Sequence, residues 1–278
     1  TLRPHRLGVG LYDLIDGKLQ RVEHIRVDID GARTELAELV GKKRPALVLL
    51  NDEDQTYAKI RLDQDSLAVA LDHLSDIDDP LTRAIILGAA WDATRDAEVN
   101  PRDFVKLVLG NIASETESTT MLTLLRQLVT TGTLYTAPAK REAMLVKIAD
   151  GLIDLATKAK PGSDSQLQFV KFVPQFARTQ AQATWMKQLL NGEISLPGLV
   201  VDQDVRWELV IGLSVCGIFG EHEIATELER DNTANGQKFA AAARATPTAT
   251  GTSGKPPSVR PMIRPHVRRS PICSSHRR

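Results

Sequence analysis

The pair His222–Glu223 is the place where residue types and spacing in this sequence come nearest to a catalytic motif. A zinc peptidase helix requires the pattern H-E-x-x-H, because two histidines four residues apart lie on one helix face and can bind the same metal ion. Here the residue four positions after His222 is Thr226. We therefore interpret His222 and Glu223 as polar residues in the first turn of a helix.

The other candidates for chemistry lack a functional spacing. His5, His24 and His73 are scattered along the chain without the spacing of metal ligands. The acidic clusters Asp52–Asp54 and Asp76–Asp79 do not have the spacing of a calcium loop, so we interpret them as loop and capping residues. No G-x-S-x-G, phosphate-loop or dinucleotide-binding motif occurs. The sequence therefore provides no catalytic, cofactor-binding or metal-binding residue.

The composition is typical of a globular protein. The 278 residues are 42% hydrophobic and 25% charged, with a formal net charge of zero, and no apolar run approaches the ~20 residues that a membrane crossing needs. Cys216 and Cys273 cannot form a disulfide framework; we interpret Cys216 as a small core residue and consider a reactive thiol the less favoured alternative. These features predict a reducing, cytoplasmic location. Thr1 stands where Met would open a complete protein and runs straight into a strand pattern, so we expect the sequence to begin inside a longer protein.

The charge is unevenly distributed. Nine of the 35 basic residues lie in residues 238–278, which contain no acid, so residues 1–237 carry 26 basic and 35 acidic side chains. Residues 246–278 are rich in Pro, Ser, Thr and Arg, and we predict a disordered basic tail because such a segment cannot bury enough apolar surface to fold. RNA binding by this tail is a weaker alternative, since Phe239 is the single aromatic residue after position 237.

Residues 1–62 show the alternation of β-strands. Leu7, Val9 and Leu11 alternate with smaller or polar residues, and Leu19–Ile29 alternates in the same way after the hairpin signal Asp16-Gly17. We predict a return strand at Arg33–Leu36, a central strand at Ala46–Leu50 and a last strand at Tyr57–Leu62. About five short strands with tight turns predict a small antiparallel β-sandwich.

Residues 63–245 show helical periodicity instead. Asp79-Pro80 and Asn100-Pro101 each combine a capping side chain with a proline suited to the first helical position. Further helices are predicted at Ser118–Thr131 and Pro138–Lys160, and one that includes Pro174 is expected to bend or break there. Eight to ten helices with short connections predict an α-superhelical array of the HEAT or armadillo kind, so the fold class is mainly α.

The stretch Gly198–Asp231 predicts a helical hairpin. Asp202 or Asp204 can cap its first helix, whose broad apolar surface must be covered on more than one side. Gly217 and Gly220 end this helix, and a more polar helix begins at Glu221.

Four segments carry a resemblance to a known family, and they occur in the family's order. They are P-H-R-L-x-V-G-L-Y-D from Pro4, L-V-L-L-N-D-x-D-x-T-Y-A-K-I-R-L-D from Leu47, the segment Ala84–Glu98, which ends in A-A-W-D-x-T-R-D-A-E, and L-P-G-L-x-V-D-x-D-x-R-W followed by G-x-x-G-x-x-E-I-A-x-E-L-x-x-D-x-T-x-x-G-Q from Leu196. Together they resemble the C-terminal region of zinc aminopeptidases of the aminopeptidase N family, in its actinobacterial form. The resemblance covers about residues 4–245, and the sequence departs from the family pattern from Thr250 onward, as a shifted reading frame or a divergent end would.

The resemblance implies a non-catalytic role for this chain. In such enzymes the zinc ion, the H-E-x-x-H helix and the substrate-binding G-A-M-E-N loop belong to a preceding catalytic domain, and this chain contains neither motif, so we expect it to be inactive alone. The helical array would cap the active-site cavity of the whole enzyme and limit the access of peptides, with the catalytic domain of the same polypeptide as its partner. The alternative is a freestanding α-solenoid scaffold that binds other proteins. A start codon of its own near Thr1 would favour that alternative.

Overall fold

The N-terminal part of the chain folds into one small antiparallel sheet. The structure is a computed structural model that describes residues 3–246, so the predicted tail lies outside the described residues except for Thr246. Strands β1 (His5–Ile15), β2 (Lys18–Ile29) and β3 (Leu47–Asp52) pair in the order β2-β1-β3. Asp16 and Gly17 have φ values of 50° and 78°, as the predicted tight hairpin turn requires.

Two predicted strands are absent, and a third, which is present as β3, lies at a different position in the sheet. The segment predicted as a return strand, Arg33–Leu36, has no strand partner in the described sheet, and a 3-10 turn follows it at Ala37–Leu39. Tyr57–Leu62 is likewise not a strand of the described sheet. Its side chains Lys59 and Arg61 form ion pairs with Asp96 and Glu98. The apolar strand β3 lies at an edge rather than in the centre of the sheet. Its residues Leu47 and Leu49 pack into the helical core and Val48 packs against the opposite face of the sheet, whereas Leu50 is exposed.

The two faces of the sheet belong to two apolar clusters. Tyr12, Leu19, Leu47 and Leu49 lie on the face that packs against the helices and share one continuous core with them. The opposite face has a small cluster of its own, covered by the segment around the 3-10 turn; its buried members are Leu7, Val9, Leu11 and Val27, with Leu36 and Leu39 packed against them. The second layer against the sheet is therefore helical.

Ten helices follow within the described residues, which confirms the prediction of a mainly α fold. They are α1 (Gln64–His73), α2 (Pro80–Arg95), α3 (Pro101–Asn111), α4 (Ser118–Thr130), α5 (Pro138–Lys158), α6 (Asp164–Phe176), α7 (Gln180–Asn191), α8 (Gln203–Val215), α9 (Glu221–Arg230) and α10 (Ala234–Arg244). A turn of π-helix, Thr131–Tyr135, continues α4.

The helix ends follow local side-chain chemistry. Asp79 accepts hydrogen bonds from the backbone N–H groups of Leu81 and Thr82, and Asn100 accepts one from Arg102. Of the two predicted caps of α8, Asp202 is the one that accepts from a backbone N–H group, that of Val205. These short polar side chains satisfy donors that have no partner within the helix.

The helices stack in two layers. Helices α4, α6, α8 and α10 contact one another in that order, and α1, α3 and α5 form a second series, with α5 packed against α6 and α7 against α8. Contacts between every second helix are typical of an α-superhelical array. Of the bend or break predicted at Pro174, the break does not occur, because helix α6 continues through this proline to Phe176. None of the helices in residues 3–246 is long and apolar enough to cross a membrane.

A close approach between α6 and α8 depends on a glycine. A Cβ atom at Gly212 would lie 2.5 Å from Cβ and 2.9 Å from Cα of Pro174, well inside van der Waals contact. Gly88, in the interior of α2, provides a contrast, because nothing lies within 4 Å of the corresponding position.

We expect Gly212→Ala to lower the free energy of unfolding by about 1–3 kcal/mol, because the added methyl group forces α6 and α8 apart. Gly88→Ala should raise it by roughly 0.5–1 kcal/mol, since alanine restricts the unfolded chain and nothing obstructs its side chain. Urea denaturation followed by circular dichroism measures both values. Equal effects of the two substitutions would contradict the close contact at Gly212.

Candidate functional site

The His222–Glu223 pair lies in the first turn of α9, where the Glu223 side chain caps the helix. The Glu223 carboxylate accepts a hydrogen bond of 2.8 Å from the Gly220 N–H group, and this backbone hydrogen bond is the main reason that the pKa of Glu223 is lowered. Thr226, which replaces the second histidine of a zinc helix, donates its hydroxyl to the His222 carbonyl. The carboxylate is thus engaged with the backbone of its own helix.

The other three histidines within residues 3–246 lie on separate elements. His5 Nδ1 is 2.7 Å from Thr56 Oγ1, His73 Nδ1 is 2.9 Å from an Asp76 carboxylate oxygen, and His24 Nε2 is 3.9 Å from a Glu53 carboxylate oxygen. Within residues 3–246 no group of three His, Cys, Asp or Glu side chains is placed to hold a metal ion. The residues of this part of the chain therefore do not fit the zinc site that the resemblance implies for the whole enzyme.

The acidic residue Asp52 has a structural role that its sequence context did not reveal. Its buried carboxylate accepts a hydrogen bond of 3.0 Å from the Tyr12 hydroxyl and one of 3.1 Å from Arg21, and Thr82 of α2 lies 3.4 Å away. Asp52 therefore joins β1, β2 and the start of α2. Burial of the phenol raises the pKa of Tyr12 to about 12, and the neighbouring Asp52 carboxylate adds to the effect.

A second buried ion pair joins α2 to the turn after α3. Arg83 donates to the Glu115 carboxylate at 2.9 Å and to the Ile77 carbonyl at 2.7 Å. Both side chains are nearly inaccessible to solvent. Nothing in the sequence pattern identified this pair.

The clearest convergence of polar side chains within the described residues ties α8 to α9 and α10. Arg206 forms a two-pronged ion pair with Glu227, with distances of 2.7 and 2.6 Å, and donates to the Leu190 carbonyl at 3.2 Å. Trp207 Nε1 donates to Asp231 at 2.8 Å. We call Arg206, Trp207, Glu227 and Asp231 the α8 lock.

The start of α10 is fixed to the same point. Thr233 donates to the second Asp231 carboxylate oxygen at 2.8 Å and accepts from the Gly236 N–H group. A Cβ atom at Gly236 would lie 2.0 Å from the Asp231 carbonyl oxygen, and the Phe239 ring stacks on Trp207 with the ring centroids 6.0 Å apart. All of these residues except Phe239 belong to the last of the four segments that carry the resemblance. The structure assigns them to helix packing.

The sequence matches known proteins over most of its length. The family model of the ERAP1-like C-terminal domain matches residues 47–250. The chain belongs to this family. It is also 45% identical over 246 residues to aminopeptidase N of Streptomyces lividans, a match that covers 88% of this chain and 29% of that protein. The predicted resemblance is confirmed, and the chain spans less than a third of the length of this relative.

Hollows on the part of the surface that residues 3–246 form include one beside α7 and one at the small sheet. One, of about 280 Å³, lies beside α7 and is lined by residues that include Gln180, Lys187 and Ile218. The other, of about 450 Å³, lies at the start of β1 and the end of β2. Cys216 lies half-buried at the end of α8, where burial raises the pKa of its thiol. A raised pKa disfavours the reactive thiolate and supports the interpretation of Cys216 as a packing residue.

We expect Glu227→Ala to lower the free energy of unfolding by roughly 3–5 kcal/mol, because Arg206 would keep a mostly buried charge without its partner. Glu221→Ala is the matched control, since Glu221 forms an ion pair with Arg244 on an exposed surface. It should leave the unfolding midpoint nearly unchanged. If both variants lowered the free energy of unfolding by similar amounts in urea denaturation, the buried Arg206–Glu227 pair would contribute no more than a surface ion pair.

We expect Tyr12 to titrate near pH 12, because burial opposes formation of its phenolate. The difference in absorbance at ~295 nm between the wild type and Tyr12→Phe isolates this residue. Because a free tyrosine ionises near pH 10, the contribution of Tyr12 to stability should be complete below pH ~10 and lost as the pH rises toward 12. A difference titration centred near pH 10 would contradict the buried position.

Proposed function

We propose that this chain is the non-catalytic C-terminal portion of a zinc-dependent aminopeptidase, a whole enzyme that removes N-terminal amino acids from peptides. The observation that carries the proposal is the match to an aminopeptidase N over 88% of this chain and 29% of the relative. The zinc ion and the catalytic residues belong, on this proposal, to a catalytic domain that precedes the present residues. That domain is the partner of this chain, and peptides are the substrates of the whole enzyme, which acts in the cytoplasm.

The contribution of the helical array is to cap the active-site cavity and limit which peptides enter. The packing of the helices supports this role, because a domain that borders a cavity must keep its shape while substrates pass. Helices in two contacting layers with a continuous apolar core and buried ion pairs at Arg83 and Arg206 resist deformation.

Hydrolysis of aminoacyl arylamides in the presence of added zinc tests the proposal. We expect the folded 278-residue chain to release no amino acid, because it lacks the H-E-x-x-H helix that would bind the metal and activate water. The protein translated from the same gene with the residues that precede Thr1 should release amino acids and lose this activity with a chelator. Aminopeptidase N of Streptomyces lividans serves as the positive control.

Two results would contradict the proposal. Chelator-sensitive turnover by the 278-residue chain would place the catalytic residues within it. A gene with its own start codon near Thr1 and no peptidase sequence upstream would favour the freestanding scaffold instead. A far-ultraviolet circular dichroism spectrum rich in helix is required of each preparation, so that inactivity is not confused with unfolding.

A further inference from the structure

Two asparagines in this sequence, Asn191 and Asn235, are each followed by a glycine. Asparagine is a chemically labile residue, and a following glycine makes it more so. Glycine has no Cβ atom and few backbone restrictions, so its nitrogen can approach and attack the side-chain amide of the preceding residue. The two Asn-Gly pairs are identical in sequence, but the structure places them in different surroundings.

The first pair lies at an exposed helix end. Asn191 is the last residue of α7, and both Asn191 and Gly192 are exposed. Gly192 has a φ of 74°, and nothing lies within 4 Å of the position that a Cβ atom would occupy. Its N–H group donates to the Leu189 carbonyl at 3.2 Å, within the last turn of the helix. Because helix ends fray, this nitrogen becomes free without any opening of the core.

The second pair is enclosed by the α8 lock. Asn235 is exposed in the first turn of α10, but Gly236 is buried and donates its N–H group to Thr233 Oγ1 at 3.1 Å. A Cβ atom at Gly236 would overlap the carbonyl oxygen of Asp231, which shows how little space surrounds this glycine. Since Asp231 is bonded to Trp207, the Gly236 nitrogen can be freed only when the α8 lock opens.

We propose that Asn191 is a site of spontaneous deamidation in the folded protein, and that Asn235 is protected by the fold. The Gly192 nitrogen loses its proton to solvent and forms a bond to Cγ of Asn191, while the bond from Cγ to Nδ2 breaks and ammonia leaves. Water then adds to either carbonyl of the resulting succinimide ring and opens it. The products are aspartate and isoaspartate, so one water is consumed for each ammonia released.

The modification weakens the end of α7. In the unmodified protein Asn191 Nδ2 donates to the Glu193 carboxylate at 3.0 Å, whereas a carboxylate at position 191 repels it. The new charge also lies at the C-terminal end of a helix, where the helix dipole disfavours a negative group. The preceding carbonyl, that of Leu190, accepts a hydrogen bond of 3.2 Å from Arg206. The altered turn is therefore adjacent in sequence to a residue that contacts the α8 lock.

Peptide mapping by mass spectrometry tests the proposal after incubation of the 278-residue chain in a mildly alkaline buffer. We expect Asn191 to be converted at least about tenfold faster than Asn235, because a helix end opens at a lower free energy than a buried cluster. The same incubation in concentrated urea is the control. There the two Asn-Gly pairs should be converted at similar rates, since the fold no longer distinguishes them.

Equal conversion of the two asparagines in the folded protein, or faster conversion of Asn235, would overturn the assignment. It would also be overturned if Asn191 stayed intact in the folded protein during a period in which both sites are converted in urea.

A pair of variants tests the effect on α7. Asn191→Asp reproduces the charge of the aspartate product, and Asn191→Gln is the matched control because it keeps an amide. We expect the thermal midpoint of Asn191→Asp to lie up to about 4 °C below that of Asn191→Gln. Equal midpoints of the two variants would contradict the weakening of the helix end by the new charge.

Discussion

The attachment of α9 and α10 to α8 is the constraint on which the C-terminal end of the array depends. Helix α9 buries two of its residues, Ile224 and Glu227, and α10 buries Gly236, Ala240 and Ala243. So little apolar area provides only a weak hydrophobic driving force. The hydrogen bonds of Arg206 to Glu227 and of Trp207 to Asp231 supply the attachment that apolar packing does not. At this point the Arg206 side chain is mostly buried and Trp207 is fully buried. Charge-assisted hydrogen bonds in such surroundings are strong and specify one arrangement of the helices.

The same principle holds at the other end of the molecule. The small sheet cannot enclose a core by itself, so one face joins the helical core through Tyr12 and Leu47, and Asp52 fixes the junction by bonding Tyr12 and Arg21. A buried carboxylate without such donors would be strongly destabilising. The array is thus anchored near both ends by a buried acid that receives hydrogen bonds from an aromatic residue, Tyr12 in one case and Trp207 in the other. If the chain caps the active-site cavity as proposed, these buried hydrogen bonds keep this side of the cavity in one shape.

Local chemistry could be predicted from the sequence, and long-range pairing could not. The helix starts at Asp79-Pro80 and Asn100-Pro101 were predictable because a cap and its helix are adjacent in sequence, and the same applies to the interpretation of His222–Glu223. The strands predicted at Arg33–Leu36 and Tyr57–Leu62 were wrong because a strand requires a partner, which alternation alone does not provide. Arg206 pairs with Glu227 and Trp207 with Asp231 across 21 and 24 residues. The family resemblance identified these residues, and the structure was needed to pair them.

Native-state hydrogen exchange of α9 tests the central claim most directly, namely that the α8 lock makes the C-terminal helices part of one cooperative unit. The account predicts that the slowest amides of Glu221–Arg230 exchange with nearly the same free energy as those of Gln203–Val215, so that both helices open in the same unfolding event. Exchange of α9 at a much lower free energy, while α8 stays protected, would contradict it. In that case the hydrogen bonds of Arg206 and Trp207 would not hold the end of the array in place.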